Sequence, residues 1–111
     1  MAAKMLNLDP GEFEIITAIL DRLVPSAGVA AFGSRVSRPG TAPQKAKKYS
    51  DLDLAVITPA GLSLKEIGNL REAFSDSDLP FEVDIVDWRD ADENFKKIIL
   101  SKCEVLRGKI P

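Results

Sequence analysis

The sequence contains no histidine at all and a single cysteine, Cys103. The first absence excludes Ser-His-Asp and Cys-His catalysis, imidazole acid–base chemistry and histidine-ligated metals. The second excludes an intrachain disulfide and a multi-cysteine zinc centre. One free thiol fits a reducing compartment, so the expected location is cytoplasmic. Aromatic residues are scarce at 6%, so the core must be built mainly from Leu, Ile, Val and Ala. No apolar run approaches the ~20 residues of a membrane span, and residues 1–8 lack the apolar stretch of a signal peptide. Strong charge of one sign is also missing: 15 basic against 17 acidic residues give a formal net charge of −2. That balance argues against direct nucleic-acid binding. Carboxylates, amines, guanidiniums, hydroxyls and backbone amides remain to carry any chemistry.

What is present is 111 residues, 45% apolar and 29% charged, the balance of a single globular domain over residues 1–111. Asp9, Pro10 and Glu12 mark the start of a helix, and Phe13, Ile16, Leu20 and Leu23 give its inward stripe. Pro25 and Gly28 end it. Residues 29–32 form a short apolar strand stopped by Gly33. Residues 34–50 read as loop, broken by Pro39, Gly40 and Pro43. Leu52 to Ile57 is a second strand. Ser63 and Glu66 form a capping box for a second helix, with Leu64, Ile67, Leu70 and Phe74 inward. Phe81 to Asp87 is a third strand. Asp90 and Glu93 open a third helix with Ala91, Phe95, Ile98 and Ile99 inward, and Glu104 to Arg107 can add a last strand.

The order α-β-β-α-β-α(-β) predicts an α/β (α+β) fold with a single mixed β-sheet flanked by helices. Its β-α-β portion should be a right-handed crossover between parallel strands.

Asp51 and Asp53 stand two apart at the start of a strand, so both point to one face while Leu52, Leu54 and Val56 point to the other. Asp84 lies mid-strand. If its strand runs parallel beside the second one, Asp84 comes alongside Asp53. Adjacent carboxylates repel, and burial worsens the repulsion. A divalent cation removes it, and Mg²⁺ prefers such oxygen ligands. The bland alternative is a strand cap at Asp51 and a solvated sheet face for Asp53 and Asp84. A phosphatase of the haloacid-dehalogenase type places its Asp-x-Asp after a hydrophobic strand, whereas this pair precedes one. No third Asp and Gly follow at the spacing of a calcium-binding helix–loop–helix.

Gly33-Ser34 ends the first strand. If the first two strands are antiparallel, Gly33 and Asp51 lie at the same end of the sheet. Gly33 then allows close backbone approach to a phosphate, Ser34 offers a hydroxyl and an amide, and Arg35 is a further phosphate contact. Residues 35–48 carry five cations (Arg35, Arg38, Lys45, Lys47 and Lys48) and no acid. A positive segment beside an acidic metal site suits a nucleoside triphosphate. Trp88 and Tyr49 read as packing residues, Cys103 as a buried small side chain, and Glu82 as a neighbour of the Asp84 face.

At Ala31-Phe32-Gly33-Ser34-Arg35, at Lys48-Tyr49-Ser50-Asp51-Leu52-Asp53-Leu54 and at Val83-Asp84-Ile85-Val86 the sequence resembles the minimal nucleotidyltransferases of the DNA polymerase β superfamily. The resemblance spans about residues 10–107. It implies that Asp51 and Asp53 are the metal-binding pair, and that Asp84 helps hold metal and activates the attacking hydroxyl. It further implies that Gly33 and Ser34 form the phosphate-binding turn, with Arg35 and Lys48 as basic contacts. It brings with it two Mg²⁺ ions and ATP or another nucleoside triphosphate as substrate. The sixteen residues from Arg35 to Ser50 exceed the usual spacing between the two motifs, so a basic loop is inserted at about 35–50. Many such minimal proteins are antitoxins paired with a HEPN-domain protein, a helical RNase toxin. In that pairing AMP moves from ATP to a partner tyrosine. The expected partner is therefore a HEPN-type protein encoded nearby, with a homodimer also possible. A non-catalytic antitoxin that neutralises its partner by covering it is the alternative. Transfer to a small molecule or to RNA is a third reading, disfavoured by the lack of an acceptor domain in this sequence.

Overall fold

The computed structural model describes Leu6, residues 8–36 and residues 51–108. Helix α1 (Pro10–Leu23) leads into strand β1 (Gly28–Phe32), and β2 (Leu52–Ile57) follows. Helix α2 (Leu64–Ser75) connects β2 to β3 (Val83–Asp87). A 3₁₀ turn over Trp88–Asp90 precedes α3 (Glu93–Ser101), and β4 (Cys103–Arg107) closes the chain.

The four strands form one mixed sheet in the order β3-β2-β1-β4. β1 runs antiparallel to both β2 and β4, and β2 runs parallel to β3. This is the expected α+β architecture. Strand alternation divides the core in two. Val29, Ala31, Leu52, Leu54, Val56 and Ile85 face α1 and α2, where they meet Ile16, Leu20, Leu70 and Phe74. On the opposite face Phe32 and Ala55 pack with Trp88 and with Ile99 of α3. Phe95 meets Phe32 edge-on there, with ring centroids 5.8 Å apart. Ile16, Leu52, Leu54, Leu70 and Ile99 are fully buried, and each such side chain contributes about 1.5–3 kcal/mol.

The capping boxes at Asp9/Glu12 and Ser63/Glu66 form as their sequences specify. Four details differ from expectation. Leu64 is 89% exposed, and Leu62, just before the cap, packs against the core instead. Ile98 is 62% exposed. Successive residues of a helix point about 100° apart, and on α3 the i,i+4 pair Phe95 and Ile99 takes the core side. The third helix begins at Glu93, not Asp90: its cap is Asp92, which accepts from the Phe95 N–H at 2.7 Å. The intervening residues are held by Asp87 in the 3₁₀ turn. The third strand likewise starts at Val83 rather than Phe81, although Leu52 N–H still donates to Glu82 O.

Two polar anchors fix the ends of the sheet away from Gly33. The buried Asp87 carboxylate accepts from Leu62 N–H at 2.7 Å and Arg89 N–H at 3.1 Å, locking the turn between β2 and α2. Arg107 on β4 donates to Ala27 O at 2.9 Å and also to Val24 O and the Asp21 carboxylate, satisfying carbonyls at the end of α1. Among the described residues no helix is long and apolar enough to cross a membrane.

Asp87→Ala removes the acceptor from a part-buried Leu62 N–H. The expected loss is about 1–3 kcal/mol in urea denaturation with the circular-dichroism spectrum retained. Unchanged stability would show that this carboxylate anchors nothing.

Candidate active site

The site is assembled across three adjacent strands. At the end of β1 the residues Gly33–Val36 form a turn closed by Val36 N–H to Gly33 O at 3.1 Å. Gly33 has φ +85°, a left-handed conformation that favours glycine. A Cβ on Gly33 would lie 2.2 Å from Oδ2 of Asp53. The missing side chain is what lets the Asp53 carboxylate lie against the turn.

Asp53 is held there by register. It pairs with Phe32 on β1 and with Asp84 on β3. Alternation turns both aspartates to the α3 side of the sheet, while Leu52, Leu54 and Ile85 drive into the opposite core. A proton on Asp53 is favoured by the hydrogen bond it can make to Asp84. The Asp53 pKa is pushed up to about 6, first by burial, then by the charges of Asp84 and Asp51 and by the bond to Asp84. A carboxylate in this position calls for a proton or a cation.

Asp51 precedes β2 and is exposed, and its charge reaches Asp53. Asp84 is also exposed, and Asp53 is half-buried. Among the described residues, no three His, Cys, Asp or Glu side chains converge closely enough to hold an ion as they stand. The donor set nonetheless fits Mg²⁺. It is all oxygen, it is anionic, and its central member is held against like charge. Asp51, Asp53 and Asp84 are the residues that would hold it.

Ser34 is exposed at the turn. Arg35 lies differently from a free phosphate contact. It is only 5% exposed, and its guanidinium carbon sits 3.9 Å from the centre of the Phe81 ring. Lys48 and nearly all of the inserted 35–50 segment, Tyr49 included, fall outside the described residues. Trp88 packs in the core, and Cys103 is half-buried at the start of β4.

Beside Asp51 and Asp84 opens a cleft of about 650 Å³, walled by the last turn of α2 and by residues 79–83. It contains Arg71, Ser75 and Phe81, which sequence reasoning missed, and Glu82, which it placed on the Asp84 face. Arg71 follows the buried Leu70 on a solvent-facing part of α2, so helical periodicity alone marks it as a surface residue. Only the loop that returns from α2 to β3 brings it to the carboxylates.

The sequence matches the family model described as polymerase β, nucleotidyltransferase over residues 14–109. The chain belongs to this nucleotidyltransferase family. It is 45% identical over 104 residues to the probable protein adenylyltransferase MntA of Haemophilus influenzae, covering 94% of this chain and 86% of the relative. A solved toxin–antitoxin structure with AMP-PNP is similar at TM-score 0.66 and 26% identity, over 87% of this chain and 73% of that one. The structure of a tri-AMPylated Shewanella oneidensis HEPN toxin in complex with MNT antitoxin shares the fold, at TM-score 0.63 and 24% identity, over 87% of this chain and 70% of that one. The register sets Phe32, Asp53 and Asp84 abreast on three neighbouring strands, and residues 48–50 of the second motif lie outside the described residues.

Two predictions follow from the contact between Gly33 and Asp53. Gly33→Ala combines backbone strain with a clash against the carboxylate. It should cost about 1–3 kcal/mol in denaturant unfolding and abolish binding of a fluorescent ATP analogue, whereas Ser34→Ala should leave stability unchanged. The second concerns pH. The Asp53 pKa is about 6 in the folded state against an ordinary value of 3.8, so the folded state binds the proton more tightly. In metal-free buffer this group's contribution to stability should therefore fall as pH rises from about 4 to about 6 and stay low above that. Asp53→Asn should raise the melting temperature more at pH 7.5 than at pH 4. An equal effect at both would contradict the placement of Asp53 among like charges.

Proposed function

We propose that the protein is a Mg²⁺-dependent adenylyltransferase that moves AMP from ATP to a hydroxyl of a HEPN-type partner protein, a tyrosine hydroxyl in the first instance, and thereby acts as its antitoxin. The observation that carries this reading is the Asp53–Asp84 pair lying side by side in register, with the Gly33 turn opened directly onto it. The 45% identity to a probable protein adenylyltransferase supports the choice of AMP and of a protein acceptor.

In this reading each residue has a task its position allows. Gly33 and Ser34 bind the phosphates with backbone amides and a hydroxyl at the end of β1. Asp51 and Asp53 supply the anionic oxygens of the metal site. Asp84, exposed on the outer strand, accepts the proton of the attacking hydroxyl. Arg35, stacked on Phe81, braces the turn from beneath. The ions, when bound, supply charge neutralisation on the attacking and leaving oxygens of the phosphoryl centre.

The test is intact-mass spectrometry of the HEPN-type partner after incubation with this protein and Mg·ATP. The partner should gain whole AMP units. Asp84→Asn should slow the gain roughly 10²–10⁴-fold, the range of a lost general base, and Asp53→Ala should abolish it while the fold persists. The double Asp51/Asp53 variant should be no worse than Asp53→Ala, because residues of one site act as a unit. A partner silenced in the complex without any mass change would instead establish antitoxin action by coverage.

A further inference from the structure

Asp53 and Asp84 stand side by side on β2 and β3, and among the described residues β3 is an outer strand whose one strand neighbour is β2. Like charges directly opposite each other weaken such a pairing. Residues 79–84, which carry the chain into β3, also line the 650 Å³ cleft, so packing is open along one side of them. Two contacts hold the start of β3 towards the site. One comes from β2, where Leu52 N–H donates to Glu82 O at 2.9 Å. The other comes from the turn after β1, where Arg35 stacks on Phe81.

The second contact is built for holding. Arg35 is 5% exposed and Phe81 7%, and the guanidinium carbon lies 3.9 Å from the ring centre. A desolvated guanidinium over an aromatic face is the strong form of this interaction. Phe81 belongs to the core cluster that packs with α1 and α2, on the sheet face opposite the two carboxylates. Arg35 therefore meets the site through a ring and not through a charge. The turn has holds of its own. Val36 is 2% exposed, bridges to Leu6, and donates its N–H to Gly33 O. The element that gains most from the stack is thus the start of β3, three residues before Asp84.

We propose that Arg35 is a positioning residue: through Phe81 it clamps the start of β3 to the Gly33 turn and so fixes Asp84 beside Asp53. The proposal rests on the adenylyltransferase reading above, and it gives Arg35 a task other than the phosphate contact its place after Gly33-Ser34 suggests. The stack spans β1 to β3 across the end of β2, so it sets the distance between the turn and the outer carboxylate. A displacement of about 1 Å at a reacting group costs up to ~10²-fold in rate. Asp84, on an outer strand beside an open cleft, is the group of the site most exposed to such a displacement.

The test is a double-mutant cycle with two readouts. Arg35→Met and Phe81→Leu each remove the stack and leave an apolar side chain in its place. Amide hydrogen exchange at Val83–Ile85 should quicken by about 2- to 30-fold in each, the range of one cation–π contact. The double variant should exchange no faster than the singles, because the two residues act as one contact. Exchange at Ala30–Phe32 should stay at the wild-type rate. In AMP transfer to the HEPN-type partner, Arg35→Met should lower kcat by roughly 10- to 100-fold, with the affinity for a fluorescent non-hydrolysable ATP analogue unchanged. Arg35→Lys, which keeps a cation over the ring, should recover part of both effects. A fall in ATP affinity matching the fall in kcat would make Arg35 a phosphate contact. Additive exchange effects, or none, would mean that the stack does not hold β3. Each of these overturns the proposal. If Arg35→Met does not fold, Arg35→Gln takes its place in the cycle. If the wild-type protein transfers no AMP, the adenylyltransferase reading fails separately, and the exchange cycle still decides the clamp.

Discussion

The parallel pairing of β2 with β3 is the constraint on which the site depends. It sets Asp53 directly beside Asp84, two carboxylates that would separate if they were free to do so. They are not free, because Leu52, Leu54, Val83 and Ile85 from the same two strands are committed to the core on the opposite face. A slip of one residue would expose that entire set. The register that buries the apolar residues is therefore the register that forces the like charges together. Hydrophobic burial on one face of the sheet maintains electrostatic tension on the other.

Much of this was legible because period-two alternation and register are simple rules. Two aspartates two apart on a strand share a face whatever the rest of the fold does. Once β2 and β3 were recognised as a crossover pair, Asp84 had to fall near Asp53. Capping boxes marked α1 and α2 for the same reason, since their chemistry is local. The misreadings fall where a residue's role depends on something distant. Leu64 satisfies helical spacing, but Leu62 before the cap takes the place against the core. Ile98 and Ile99 point about 100° apart on α3, and Ile99 shares its face with Phe95, which meets Phe32 edge-on. Asp90 resembles a cap in sequence, yet Asp87 ties the next residues into a 3₁₀ turn and shifts the role to Asp92.

The same distinction explains Arg35 and Arg71. Sequence placed Arg35 at the phosphates because it follows Gly-Ser, but the turn sends its side chain inward onto Phe81. Arg71 carried no local signal, because its relation to the carboxylates is made by the return loop from α2 to β3. Local motifs fix a residue's backbone setting. Where its side chain ends depends on the packing of separate elements, which is where single-sequence reasoning has least purchase.

Asp87 provides the internal control for reading Asp53 as functional. Both are aspartates on adjacent strands with restricted solvent access. Asp87 spends its carboxylate on two backbone N–H groups, Leu62 and Arg89, and so is compensated by the fold itself. Asp53 meets another carboxylate and the edge of a glycine, and its pKa rises to about 6. A buried charge needs a partner, and a fold that supplies one at Asp87 could supply one at Asp53 with a single lysine or an exposed amide. Instead glycine at position 33 clears the space, and the neighbouring strand adds a second negative charge. Among the described residues, then, the fold compensates the carboxylate of Asp87 with its own backbone and leaves that of Asp53 against like charge, where a proton or a cation relieves it.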